Sequence, residues 1–547
     1  MNLDEFELPE GNIPQTVLYG VTVRSTVPLG AIKSIHLPKL PARYTAVHAK
    51  DIPGENALRV YKSTMPYLAS DRVEFLGQPV LLLAGPNETV VRRLASKTVL
   101  EYAAADEAAK VFSTDGVKPF DENYEFTRGD CNDGFKRAEK IIEGEYTTEA
   151  LKGSHPRPLS SLAVWQGNTL VVCCGSGHPY LTQSSIAALL SIPQRRVRVI
   201  VPSHMEDPTG EIVVHTLLAG YVSLLALLTK QAVKMDYSWQ ESIERAPRRH
   251  PCVIRCRTGI DREGRILAME VNIEMDGGAY GLLSAQALQR AAIASAGGYA
   301  CENIRVSSRL FRTRHTDYYG SAGLGEPQAF FAAELHSARV AEAAGLDLVS
   351  WKKQNAVNSG EPFALGGRLK ESDDPLLVLD DVIKRSDFVR KNGAYEASKK
   401  RREDIFSSAT PLRGIGLALC FHGVGALGCY EREEPGSVRV QLGTNKRVYI
   451  MSSVATAESR ATYQTLAANI LNIPVSDVIV ERVDTAMVPN SGPSVGSRWS
   501  VPIGKMIQEC CQSLSTKRLK STPPITVRKT YRLPEKLTWS KENLKAD

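Results

Sequence analysis

One repeat constrains this chain more than any other feature. The segment Ala187-Ala-Leu-Leu-Ser-Ile-Pro193 is separated by three residues from Val197, and Ala468-Asn-Ile-Leu-Asn-Ile-Pro474 is separated by three from Val478. Each segment follows an alternating run with a glycine at its centre, residues 162–173 around Gly167 and residues 438–451 around Gly443, which reads as a hairpin. Proline ends each helix because it lacks an N–H and disfavours helix in the residue before it. The β-branched runs that follow, 197–201 and 478–483, read as strands. The unit is hairpin, helix, Ile-Pro break, strand. Two copies about 280 residues apart predict two related subdomains packed face to face around a cleft; a coincidental helix–proline–strand junction is the alternative.

A chain of 547 residues exceeds one core and is expected to hold three or four domains. Its 67 basic and 60 acidic residues leave a net +7 with both signs interspersed, and no concentrated basic patch calls for a nucleic acid. The run Lys399-Lys-Arg-Arg402 reads as a solvated face. The acidic start, through Asp4, Glu5 and Glu7, excludes an ordinary secretory signal. Residues 212–228 are the most apolar stretch, but His215 and Thr216 interrupt it. It falls short of the ~20 apolar residues of a membrane span and reads as a buried helix. The expectation is a cytoplasmic protein without a membrane or nucleic-acid partner. The ten cysteines include no Cys-x-x-Cys. Cys252 and Cys256 share one face of a strand-like run, so reduced buried thiols are expected, and no iron–sulfur cluster in this chain.

Residues 17–101 alternate short β-rich runs with one helix near 90–102, which predicts a small α+β domain over 1–105. The polar, charge-mixed stretch after it reads as a surface linker over 106–140. A third hairpin, 252–257 to 266–275, leads to Asp276-Gly-Gly-Ala-Tyr280. A glycine-rich loop, Tyr319-Gly-Ser-Ala-Gly-Leu-Gly-Glu-Pro-Gln328, then opens a helix reaching about Ala344. Such a loop admits a ligand close to its backbone, and helix N-terminal N–H groups favour anions. It is neither the dinucleotide fingerprint nor a P-loop.

These residues resemble a known family. Leu18-Tyr-Gly20, Asp51-Ile-Pro-Gly-Glu-Asn56 and Gly77-Gln-Pro-Val80 are similar to the hammerhead domain of xanthine dehydrogenase and aldehyde oxidase. Arg249-His-Pro251, Thr258-Gly-Ile-Asp261, Gly264-Arg-Ile-Leu-Ala268, Asp276-Gly-Gly-Ala-Tyr280, Gly325-Glu-Pro-Gln328, Phe331-Ala-Ala-Glu334 and Asn355 follow in the order of that family's molybdopterin-binding half. Asp484-Thr485, Pro489-Asn490 and Ser497 fit its second half. The resemblance implies an α+β chain: a hammerhead domain followed by two related molybdopterin-binding domains, over 141–375 and 376–547, the second incomplete. It implies a molybdenum hydroxylase subunit that oxidises a purine-like N-heterocycle or an aldehyde by metal-bound hydroxide attack and hydride transfer. Molybdopterin is the implied cofactor. Iron–sulfur and FAD modules, absent from this chain, are implied as separate partner subunits.

The resemblance also locates departures. The metal-side Gln of the family falls on Gly177, and its glycine-only loop falls on His204-Met-Glu-Asp-Pro-Thr-Gly210, with Asp207 in the Phe slot. Its Arg falls on Ala322 and its stacking Phe on Leu324, between Gly323 and Gly325, while the Gln of its Gly-Gln-Gly falls on Ala457. Gly177, Asp207, Ala322, Gly323, Gly325, Ala457 and Gly496 are therefore the cofactor-side positions. Glu211 and Arg290 (the latter in Gln289-Arg-Ala-Ala292), with Leu324, are the implied substrate contacts. A carboxylate and a guanidinium could grip the polar edges of a heterocycle. The alternatives are that Glu211 caps the next helix and that Arg290 is a salt-bridge or surface residue. The family's general-base Glu falls beyond Asp547, so no catalytic residue is nominated. Glu206 and Asp207 would face a phosphate-bearing group; at ~5 Å and an effective dielectric near 20, each contact costs about 3 kcal/mol before screening. A degenerate, non-catalytic scaffold is thus the alternative function.

Overall fold

The computed structural model describes residues 6, 8, 16–106, 119–151, 159–205, 211–316, 318–319, 323–364, 374–404, 411–422, 436–494, 499–531, 538–539 and 544–545. The fold is α+β. The first repeat is realised as strands Ser160–Gln166 and Thr169–Cys174, helix Pro179–Leu190, a 3-10 turn at Gln194–Arg196 and strand Val197–Val201. The second is realised as Gly436–Leu442, Val448–Met451, helix Ala457–Leu471, a 3-10 turn at Val475–Asp477 and Val478–Val480. Both helices end one residue before the Ile-Pro pair, at Ser191 and Asn472, whose φ angles are 52° and 53°. The breaks are held alike: Gln183 Nε2 donates to the Val197 carbonyl at 2.7 Å and Gln464 Nε2 to that of Val478 at 2.8 Å, each 14 residues along.

The repeat is longer than the sequence pattern indicated. A second helix and a fourth strand belong to each copy: Val213–Thr229 with Ala232–Asp236, and Gly504–Lys517 with Ile525–Tyr531. The fourth strand pairs antiparallel with the first of each hairpin (Leu162 opposite Lys234, Val438 opposite Lys529). Every residue from Val213 to Ala226 is buried, as expected of an apolar core helix.

The first copy lies within an eight-stranded sheet. Val17–Arg24 runs parallel to Ala232–Asp236, and Pro79–Gly85 and Thr45–His48 continue outward. On the other edge Val483–Asp484, from the second copy, pairs antiparallel with Val197–Val201. A five-stranded sheet orders Lys140–Thr148, Cys252–Ile260, Ile266–Asp276, Ile304–Phe311 and Pro119–Arg128.

The linker expected over 106–140 is corrected here. Within it Pro119–Arg128 is an edge strand that pairs Phe126 with Val306, and Cys131–Arg137 is a helix capped by Asp130, which accepts from the Asp133 N–H. Phe120, Tyr124 and Phe126 keep the period of two that a half-buried strand needs, and the intervening acids concealed it. Nine cysteines are free thiols among the described residues, and all but Cys420 are buried. Burial pushes the Cys252 and Cys256 thiols up to about 12. Among the described residues, no helix is long and apolar enough to cross a membrane.

Candidate functional site

Two loops of the first repeat and one of the second meet at Gly177. Its N–H donates to the Glu211 carbonyl at 3.0 Å, and its own carbonyl accepts from the Ser494 N–H at 2.9 Å. Beside it, Ser176 Oγ accepts from Thr182 Oγ1 (2.8 Å) and from the His178 N–H (3.1 Å), and the Thr182 and Thr216 hydroxyls meet at 2.8 Å. The start of helix Pro179–Leu190 is thereby tied to the start of helix Val213–Thr229.

Glu211 precedes that second helix, whose N-cap residue Ile212 has no side-chain acceptor. The Glu211 carboxylate accepts the N–H groups of Val213 (2.7 Å), Val214 (2.9 Å) and His215 (3.2 Å). These groups have no partner inside a helix, and an acid is favoured at that end of the macrodipole. The capping alternative for Glu211 is therefore realised in the geometry.

Arg290 lies on helix Ser284–Ala294. Its Nη1 is 2.7 Å from Glu326 Oε1, with both side chains buried, and the other Glu326 oxygen meets His422 Nδ1 at 2.8 Å. Glu326 opens helix Glu326–Ala344 directly after Gly325. A Cβ at Gly325 would stand 2.0 Å from the Ala287 carbonyl oxygen, so this helix start can press on Ser284–Ala294 only with glycine there. Gly323 and Leu324 precede it with φ of 82° and 49°, and Leu324 is buried. Ala457 is the exposed first residue of its helix, behind the capping Thr456. Asp207, Ala322 and Gly496 lie outside the described residues.

The sequence-predicted positions thus form two groups, Gly177 with Glu211 and Arg290 with the turn at Leu324 and Gly325. The loop between Ile266–Asp276 and Ser284–Ala294 connects them, because Ala279 and Leu282 share a core with Val213 and Val214.

Other residues organise this region without having been singled out. Asp276, fully buried, accepts from the Gly278 N–H (2.9 Å), Thr313 Oγ1 (2.6 Å) and Tyr318 OH (2.9 Å), and meets His315 Nδ1 at 2.6 Å. It holds the path of the segment entering the glycine-rich loop. Next to it His250 Nε2 meets Ser284 Oγ at 2.9 Å, and burial lowers the imidazole to about 4. Gln328 Nε2 donates to the His250 carbonyl at 3.2 Å. That leaves Gln328 Oε1, like Gln289 Oε1, buried with no hydrogen-bond partner. Both glutamines fall inside motifs of the sequence, but neither was assigned a role. Their signal was an uncharged polar side chain on an alanine-rich helix face. Among the described residues no group of three or more His, Cys, Asp and Glu side chains is placed to hold a metal ion.

The second repeat is clasped to the first at this end. Arg198 forks onto Asp484 through Nε (3.0 and 3.2 Å) and Nη2 (2.6 Å), and Asp484 is fully buried. Tyr180 OH donates to the carbonyls of Val488 (2.5 Å) and Thr485 (3.2 Å).

Comparison with known proteins places this architecture. Two family models, each described as a molybdopterin cofactor-binding domain, match residues 117–356 and 389–529; the first begins inside the stretch expected to be a linker. The chain is 26% identical over 508 residues to a probable xanthine dehydrogenase subunit of Bacillus subtilis, covering 90% of this chain and 66% of that one. It is 26% identical over 371 residues to the nicotinate dehydrogenase large molybdopterin subunit of Eubacterium barkeri, covering 65% and 86%. Its fold is similar to that of the aldehyde oxidoreductase from Desulfovibrio desulfuricans, with a TM-score of 0.80 at 20% identity, over 95% of this chain and 60% of that one.

Proposed function

We propose, for a chain that belongs to the molybdopterin cofactor-binding domain family, that it is the cofactor-binding part of a molybdenum hydroxylase. In this reading it acts in the cytoplasm on a purine-like N-heterocycle or an aldehyde, assembled with separate iron–sulfur and FAD subunits. The observation that carries the reading is the clasp that holds the two repeats edge to edge, through Val483–Asp484 and through Gly177 and Ser494. The buried, unpartnered oxygens of Gln289 and Gln328, on helices packed at Gly325, fit the N–H donors of a pterin edge. Those two glutamines would hold the group. When bound, molybdopterin supplies the metal-centred oxidation of an electron-poor carbon. Asp276 fixes the approach of the glycine-rich segment, and Glu211 orders the helix start beside Gly177. Gly177, Asp207, Ala322, Gly323, Gly325, Ala457 and Gly496 are the proposed cofactor contacts, and Glu211, Arg290 and Leu324 the proposed substrate contacts.

A second reading, a scaffold that holds no molybdenum, is favoured by a specific observation. Gly177, Glu211 and Arg290 each already bond within the protein. Metal and pterin analysis of the protein purified with its partners from its native host separates the two. Roughly stoichiometric molybdenum supports the hydroxylase; a folded, metal-free complex sinks it and leaves the scaffold.

A further inference from the structure

Between the N-terminal segment, the first repeat and the start of the glycine-rich loop at Thr316 and Tyr319 lies a cavity. Its free volume is about 20 Å³, on the order of one or two waters. Among the described residues three arginines line it, Arg24, Arg245 and Arg248, with one acid, Glu244. Glu244 stands 3.6 Å from Arg245 Nη2 and is 43% exposed, and Gln240 Nε2 donates to it at 3.1 Å. The nearby Glu241 is paired with Arg92 at 3.2 Å.

Arg24 and Arg245 converge on one acceptor. Their Nη1 groups donate to the Gly77 carbonyl at 3.2 and 3.3 Å. Gly77 has a φ of 82°, and a Cβ there would stand 2.3 Å from Arg245 Nη1, so only glycine lets the second guanidinium in. Arg24 Nη2 also donates to Tyr237 OH at 2.8 Å, and Arg248 Nη2 to the Glu244 carbonyl at 3.1 Å. The Nε groups of all three arginines are buried with no hydrogen-bond partner. Burial, then the charge of Arg24, pulls Arg245 down to about 10. Two guanidinium groups on one carbonyl, short of acceptors, are costly unless an anion joins them. Met65, Phe75, Val214 and Leu217 make the apolar part of the wall.

We infer that this cavity binds a small monocarboxylate, its carboxylate between Arg24 and Arg245 and its short apolar end against Met65, Phe75, Val214 and Leu217. A carboxylate offers the guanidinium pair the acceptors it lacks, and the apolar wall favours a carbon-bearing acid over a bare inorganic ion. The site stands whether or not the chain holds molybdopterin.

The test is thermal unfolding of the full chain titrated with sodium acetate, sodium chloride or acetamide at constant ionic strength. Acetate is expected to raise the midpoint saturably, while chloride and acetamide leave it flat. Arg245→Gln should weaken the apparent acetate affinity at least about tenfold, whereas Arg262→Gln, on a side chain that is 84% exposed, should not change it. Should Arg245→Gln fail to fold, Arg24→Gln is the substitute, with the same expected loss. Crystals soaked in bromoacetate should place the anomalous bromine signal beside Met65 and Val214. An equal rise with chloride or acetamide, an undiminished response in the arginine variants, or no bromine signal in the cavity would overturn the assignment.

Discussion

In the first repeat both outer strands are covered, Val197–Val201 by Val483–Asp484 and Ala232–Asp236 by Val17–Arg24. In the second, the matching strands Val478–Val480 and Ile525–Tyr531 form the two ends of a four-stranded sheet among the described residues. The second helices differ accordingly. Val213 to Ala226 is buried all round, whereas Gly504–Lys517 buries one stripe: Gly504, Met506, Ile507, Cys510, Cys511 and Leu514. The same hairpin, helix, break and strand therefore serve as a core in one setting and as a half-covered layer in the other. Local pattern fixes the unit; neighbours fix its burial.

Acid should separate two regions most, the five-stranded sheet and the second repeat. His250 and His336, both buried around the five-stranded sheet, are each lowered by burial to about 4 from an ordinary 6.5; residues 436–531 contain no histidine. A lowered imidazole means the unfolded chain takes the proton first. Stability is full above about pH 6.5 and is lost as pH falls toward 4, by about 3 kcal/mol for each histidine. Hydrogen exchange at pH 7 and pH 4.5, corrected for intrinsic rates, should show Cys252–Ile260 losing protection before Val448–Met451. Uniform loss across both would show that the two regions unfold as one.

Cutting the clasp is the next largest effect. Asp484→Asn leaves Arg198 without its buried partner and should cost about 3 kcal/mol, seen as a lower urea midpoint with the second repeat melting earlier. An unchanged midpoint would mean that strand pairing alone joins the copies. Capping comes third. Glu211→Gln should cost about 1–2 kcal/mol and the second repeat's Thr456→Ala about 1 kcal/mol; if Glu211→Gln leaves stability intact, its carboxylate is reserved for a ligand. The smallest effect is the most direct comparison. Gln183→Ala should cost about 1.5 kcal/mol and Gln464→Ala less than about 1 kcal/mol, because Gln183 is buried and Gln464 is not. Equal losses would mean that burial does not set the worth of this bond.

The repeat was legible because Ile-Pro followed by a β-branched run is a local signal, and each break falls where the proline demands. The second helix and fourth strand were not. About 70 and 90 residues separate the fourth strand from its hairpin partner in the two copies, and only sheet order joins them. The edge strand Pro119–Arg128 was hidden by the acids interspersed among its aromatic residues. At the site, the sequence left two roles for Glu211 and two for Arg290, and the geometry supplies the cap and the ion pair. Nothing in the sequence hinted that Asp276 gathers Thr313, His315 and Tyr318, because those partners are brought in by a parallel pairing that aligns Asp276 with Phe311.

The clasp between Val197–Val201 and Val483–Asp484 also has a time dimension. The edge strand leaves the ribosome about 280 residues before its partner, which at ~5–20 residues per second is roughly 15–60 s of synthesis. Throughout that interval the edge presents unpaired N–H and C=O groups, a template onto which another nascent strand can add. Until Val483–Asp484 emerges, pairing at this edge is open to competition from other strands.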